Sequence, residues 1–198
     1  LISIRRDQIA ETALKLFLKK GYAKTGIRDI AKACKMPIGS IYNYIGTKND
    51  ILDLIGQRRT QPWTLVAYQN IRKDILDKKK TVRLALEEAI MNHIIDSDKD
   101  KNPNMLFNRE IKNFIRKQRH NLLSSQDRIT LYFKQILDMG IESGEFAMES
   151  SLAVAFTINI IAFDWGMRHW WLKQHFTLEE YARYQTKLIM NAILIKPV

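Results

Sequence analysis

Residues 25–48, TGIRDIAKACKMPIGSIYNYIGTK, constrain the fold more than any other stretch of the chain. Apolar residues recur at helical spacing on both sides of a short break: Ile27, Ile30 and Ala31 before it, Ile41 and Ile45 after it. A tight turn near Cys34-Lys35-Met36 joins the two halves. Pro37 follows where the second helix begins, a position at which the missing N–H costs nothing and the fixed φ favours helix entry. Two short helices joined by such a turn have the spacing of a helix-turn-helix. Upstream, Ile9, Ala13 and Phe17 lie four apart with Ala10 and Leu14 beside them, so the first helix carries one apolar stripe. Gly21 ends it, as a glycine just past a helix does.

Helical periodicity continues to the end of the chain, and no run of apolar and polar alternation bounded by turn signals predicts a strand. Thr47 with Asp50 three residues on is a capping-box start for a helix carrying Ile51, Leu54 and Ile55, which Pro62 ends or kinks. Further helices are expected near 63–77, 81–96, 103–117, 125–143, 150–173 and 177–195, with breaks at Asp96–Asn104 and Ser124-Ser125. The reading is all-α, with about nine helices: a three-helix N-terminal domain over 1–47 and a larger helical domain over 48–198.

Charge narrows the function. The net charge is +11, and residues 1–60 carry twelve Lys/Arg against five Asp/Glu, so most of the excess sits beside the helix-turn-helix. Such a balance favours polyanionic partners such as nucleic acid or an anionic membrane surface. Ile41 and Ile45 turn inward on the second helix, which leaves Ser40, Tyr42, Asn43 and Tyr44 for solvent or a partner. Tyrosine hydroxyls and a lysine suit phosphate contact, which positions a protein without reading sequence, whereas Ser40, Asn43 and Ile38 suit base edges and a thymine methyl. The competing class is a helical module binding a protein or an anionic membrane without sequence-specific DNA recognition.

From Ala10 to Leu54 the chain resembles the TetR family of bacterial repressors, notably in Gly21-Tyr22, in RDIA at Arg28–Ala31 and in GSIYNYIGTKNDIL at Gly39–Leu52. The resemblance implies that the second short helix enters the major groove, that Tyr42, Tyr44, Thr47 and Lys48 hold phosphates, and that Thr25 and Arg28 lie near the DNA backbone. It also implies a homodimer on a palindromic double-stranded operator, acting as a cytoplasmic, ligand-responsive repressor. Pro37, Ile38 and Asn43 depart from the residues usual in that family.

Beyond residue 54 the resemblance narrows to GIESGEF at Gly140–Phe146 and the helical architecture. Leu152–Phe163 is apolar on nearly every face, which calls for burial on two sides, and the last helix carries a stripe at Tyr181, Gln185, Leu188, Ile189 and Ala192. The last two helices of each subunit are therefore expected to form a dimer bundle. Thr177 with Glu180 caps the last helix. The stretch Asp164–Tyr181 is similar to TetR-type regulators of fatty-acid metabolism, which implies a small hydrophobic effector such as an acyl-coenzyme A. Aromatic and polar candidates to line its site are Phe107, Phe114, Phe133, Phe156, Asn159, Trp165, Arg168 and His169, and the basic run Lys99, Lys101, Arg109, Lys112, Arg116, Lys117 and Arg119 is the candidate for coenzyme phosphates. A ligand held among the fifth to eighth helices is expected to displace the fourth.

No catalytic residue, metal site or cofactor is expected. His93, His120, His169 and His175 form no HExxH or Glu-x-x-His pair, and no GxSxG elbow or phosphate-binding glycine loop occurs. Cys34, the one cysteine, excludes an intramolecular disulfide and reads as a small buried apolar residue. No apolar stretch reaches the ~20 residues of a membrane-spanning helix.

Overall fold

The computed structural model describes residues 2–59, 63–99 and 101–195. Ten α-helices and one 3-10 turn account for the regular structure among them, against about nine helices expected. They are α1 (Ile2–Lys20), α2 (Ile27–Ala33), α3 (Ile38–Tyr44), α4 (Lys48–Arg59), α5 (Trp63–Leu76), α6 (Val82–Ser97), α7 (Lys101–Glu110), the turn Ile111–Asn113, α8 (Arg116–Glu142), α9 (Ser151–Leu172) and α10 (Leu178–Ile193). Pro62, expected to stop α4, lies outside the described residues.

Local chemistry sets most of the helix ends. Gly21 takes φ +89° and its N–H closes on Phe17 O, which ends α1. Capping boxes start α4, where Thr47 N–H donates to Asp50 Oδ2 at 2.7 Å and Asp50 N–H to Thr47 Oγ1 at 3.2 Å, and α10, where Thr177 and Glu180 do the same. Two expected boundaries move. The helix predicted over 103–117 stops at Glu110, and α8 starts at Arg116 instead of 125, running through the Ser124-Ser125 pair. Phe114 turns into an apolar core with extended backbone, and the Gln118 side chain accepts the Ile115 N–H at 3.3 Å, restarting the helix there.

The chain divides into two compact units. The first joins Leu1–Gln61 to Asn102–Leu122, and the second joins Pro62–Lys101 to Leu123–Val198. The expected boundary between 47 and 48 falls inside the first unit, because α4 packs on α1 and residues 102–122 return to the same core. That core contains the predicted stripe of α1 and Ile41 and Ile45 of α3, closed by Leu106, Phe107 and Phe114. The core of the second unit is built mainly from α6, α8, α9 and α10 around fully buried Phe133, Leu86, Ile90 and Phe146.

Candidate nucleic-acid interface

Backbone bonds fix the turn between α2 and α3. Cys34 N–H donates to Ile30 O at 2.8 Å and Met36 N–H to Ala31 O at 2.9 Å, while Lys35 between them takes φ +54°. Cys34 itself is buried and free, a small apolar core residue. Pro37 caps α3, its carbonyl accepting the Ser40 N–H at 3.0 Å. The helix is only seven residues long, and Ile41 and Ile45 bind its inner side to the core. Its outer side is therefore free: Ile38 and Tyr42 are 40% and 52% exposed, Asn43 is exposed, and Ser40 and Tyr44 are half-buried. Thr47, at the α4 cap, and Arg28, on α2, are also exposed.

Two residues expected at the DNA backbone also bond within the unit. Thr25 has no exposed surface, and its hydroxyl donates to Gly21 O at 2.8 Å, holding the α1–α2 connection. The Lys48 ammonium donates to Tyr22 O and lies 4.0 Å from the centre of the Tyr22 ring. Burial lowers its pKa, with the charge of Glu110 acting the other way. Lys48 is thus half-buried and held on the first unit's own framework.

Tyr22 is the hub of that framework. Its hydroxyl donates to Asn49 Oδ1 at 2.6 Å, its N–H to Glu110 Oε1 at 3.3 Å, and its ring meets Phe17 edge-on at 5.0 Å. Burial first, then Asp53 and Glu110, push its pKa up to about 12, so it stays neutral. Arg109 Nε pairs with Glu110 at 3.1 Å, and its Nη1 donates to Leu18 O at 3.0 Å, capping the carbonyl end of α1. Gln118 Nε2 donates to Asn49 O at 3.0 Å, at the start of α4. Sequence reasoning missed Arg109, Glu110 and Gln118 in this role. The apolar spacing of Leu106, Phe107 and Phe114 signals burial but not the partner.

The candidate effector residues divide between the units. Phe107 and Phe114 stack edge-on at 5.4 Å in the core of the first. In the second, Phe133 is fully buried, Trp165 is buried with Nε1 donating to Asp98 Oδ1 at 3.0 Å, and Asn159 Nδ2 donates to Thr130 Oγ1 at 3.3 Å. Phe156 is 55% exposed, Arg168 pairs with Asp164 at the surface, and His169 Nδ1 lies 3.2 Å from Gly166 O. Much of the basic run is engaged locally: Lys99 with Asp96, Lys101 with Asp98, Arg109 with α1, and Arg119 Nε with Phe114 O at 3.1 Å. Among the described residues no group of three His, Cys, Asp or Glu is placed to hold a metal, and no helix is long and apolar enough to cross a membrane.

The family model for bacterial regulatory proteins of the tetR family matches residues 9–55, which span α1 to α4. Over 195 residues, 98% of this chain and 82% of the relative, the sequence is 27% identical to the HTH-type transcriptional regulator HbdR of Aromatoleum sp. (strain CIB). A tetR-family regulatory protein from Rhodococcus RHA1 superposes with a TM-score of 0.76 at 18% identity, covering 98% of each chain. The transcriptional regulator FadR of Bacillus subtilis, solved in complex with stearoyl-CoA, superposes with a TM-score of 0.69 at 21% identity, covering 92% of this chain and 96% of that one. These relatives are regulators and not enzymes. With its helix-turn-helix held by Tyr22, Glu110 and Arg109 and the outer side of α3 open, the chain matches bacterial regulatory proteins of the tetR family over α1 to α4 and shares the fold of TetR-type regulators along its length.

Proposed function

We propose that the chain is a repressor that binds a palindromic operator as a homodimer and is released by a small hydrophobic effector. One observation carries the DNA half: α3 buries Ile41 and Ile45 and presents Ile38, Tyr42 and Asn43 outward, on the part of the chain with the greatest positive excess. Asn43 and Ser40 offer hydrogen bonds to base edges and Ile38 an apolar contact to a thymine methyl. Tyr42, Tyr44, Thr47 and Arg28 hold phosphates, Thr47 from the N-terminus of α4. Lys48 adds positive charge from its seat on Tyr22. Removing one phosphate contact weakens all sequences together, so Tyr42→Phe is expected to lower affinity roughly fivefold for specific and unrelated DNA alike. Titration of both DNAs at fixed salt checks this, and a loss confined to the specific site contradicts the phosphate role.

Dimerisation rests on the outer faces of α9 and α10. Leu152, Phe156 and Ile160 recur every four residues and are each 44% exposed or more, and Tyr184 and Leu188 are likewise exposed on α10. An apolar face of that kind marks an interface, and a two-fold pair presents two α3 helices to half-sites ~34–36 Å apart or a multiple of it. Phe156 accordingly belongs to this seam.

The sensor is the second unit. Acyl-coenzyme A is the first effector to test, on the similarity of the sequence around Asp164–Tyr181 to regulators of fatty-acid metabolism and the fold shared with FadR. Release requires two conformations that differ in affinity for effector and operator, with reciprocal coupling. The fourth helix is one carrier of that coupling. A second is α8, one helix whose first turns belong to the DNA-reading unit and whose remainder belongs to the sensor. A long-chain acyl-coenzyme A at 100 times its dissociation constant is expected to stabilise the protein by about 2.7 kcal/mol in a thermal-shift assay. A shift with planar cationic compounds and none with acyl-coenzyme A eliminates the acyl class.

A further inference from the structure

Three buried side-chain polar atoms among the described residues have no hydrogen-bond partner: Asn104 Oδ1 in the first unit, and His93 Nε2 and Thr186 Oγ1 in the second. A native structure leaves few such groups, and each marks a water, a ligand or strain. Thr186 is the weakest case, because a helical threonine hydroxyl rotates to the carbonyl four residues back. An imidazole has no such freedom, since its two nitrogens point in fixed directions.

His93 sits on α6, one turn after fully buried Ile90, with its ring 5.2 Å from that of Phe133 on α8. The Asn159 side chain from α9 hydrogen-bonds the imidazole and donates to Thr130 of α8. Three helices thus hold the ring in one orientation, and its remaining nitrogen faces the interior without a partner. We infer that His93 Nε2 is the polar anchor of a ligand site in the second unit, accepting a hydrogen bond from the hydroxyl of a largely apolar small molecule. Burial, partly offset by Asn159 and Asp96, pushes the His93 pKa down to about 4, so the ring is neutral near pH 7 and offers no attraction to a carboxylate. The anchored group is accordingly uncharged. This assignment rests on the reading of the second unit as the sensor, and adds the part of the effector it recognises.

The test uses the full chain and four probes of matched length: 1-decanol, 2-decanone, decane and decanoate. Nitrogen-15 spectra of the imidazoles follow His93 Nε2, and thermal shift measures affinity in the wild type and in His93→Leu. An apolar replacement at an unpaired polar site is compatible with folding, and the wild-type spectra stand on their own if the variant fails. The alcohol is expected to move the Nε2 resonance and to bind roughly tenfold more tightly than decane or the ketone, a preference lost in His93→Leu. An Nε2 resonance already hydrogen-bonded without probe and unmoved by all four means an internal water only, and overturns the anchor. Equal affinity for alcohol, ketone and alkane does the same. If acyl-coenzyme A then releases operator DNA equally well from both proteins, the sensor reading survives and the anchor alone falls; if neither the probes nor acyl-coenzyme A binds, both fall.

Discussion

Gly140→Ala is expected to destabilise the second unit by about 3 kcal/mol, at the upper end of what overpacking a core usually costs. A methyl group on Gly140 would stand 2.0 Å from Cδ2 and 2.3 Å from Cε2 of Phe146, inside any possible contact distance. Phe146 has little room to yield. It is 2% exposed within the main core, its N–H donates to Gly140 O at 3.0 Å, and it forms an isolated bridge with Leu194 beyond α10. Either the ring leaves its pocket or α8 bends away. A loss of that size lowers the melting temperature by roughly 6–12 °C. Adding Phe146→Leu should return part of the lost stability, a non-additivity expected of side chains in contact. Gly39→Ala is the control, because nothing lies within 4 Å of a methyl group there. A melting temperature for Gly140→Ala within error of the wild type would show that this packing is wrongly described.

Phe17→Ala should cost about 4 kcal/mol, through lost burial and the cavity left behind. Phe17 has no exposed surface, meets Tyr22 edge-on at 5.0 Å, and lies 5.9 Å beneath the Lys48 ammonium. Its removal loosens the contact on which Tyr22, Lys48 and the start of α4 depend. The effect is expected to be local. Amides of α1–α3 exchange faster and DNA affinity falls, while protection in α9 and α10 is retained because the two units have separate cores. Phe17→Leu keeps much of the volume and should cost less. Uniformly faster exchange in both units contradicts the separate cores, and unchanged exchange in α1–α3 contradicts the role of Phe17.

Phe17 belongs to a stripe read from its spacing, as do Ile41 and Ile45, because a short helix with one apolar side has one way to pack it. Helix starts at Thr47 and Thr177 were equally readable, since capping is chemistry between residues three apart. The return of residues 102–122 to the first unit was not readable. Glu110 reaches Tyr22 across 88 positions and Gln118 reaches Asn49 across 69, and periodicity tells which face is buried but not against what. Thr25 and Lys48 show the same limit at the interface: their types suit a phosphate, yet Gly21 O and Tyr22 O already engage them. His93 belongs to no motif in the sequence, and only packing reveals that its Nε2 is enclosed without a partner.

Selection from random duplex DNA with the full chain shows whether the outer side of α3 reads sequence. A two-fold symmetric site is expected to be enriched, its half-sites one helical turn, or a multiple of it, apart. Asn43→Ala is expected to change the preferred base at matching positions of both half-sites, at a cost of about 1–3 kcal/mol for the original site. Enrichment of no sequence, or an identical palindrome from wild type and from a variant with Ile38, Ser40 and Asn43 all replaced by alanine, would contradict such reading.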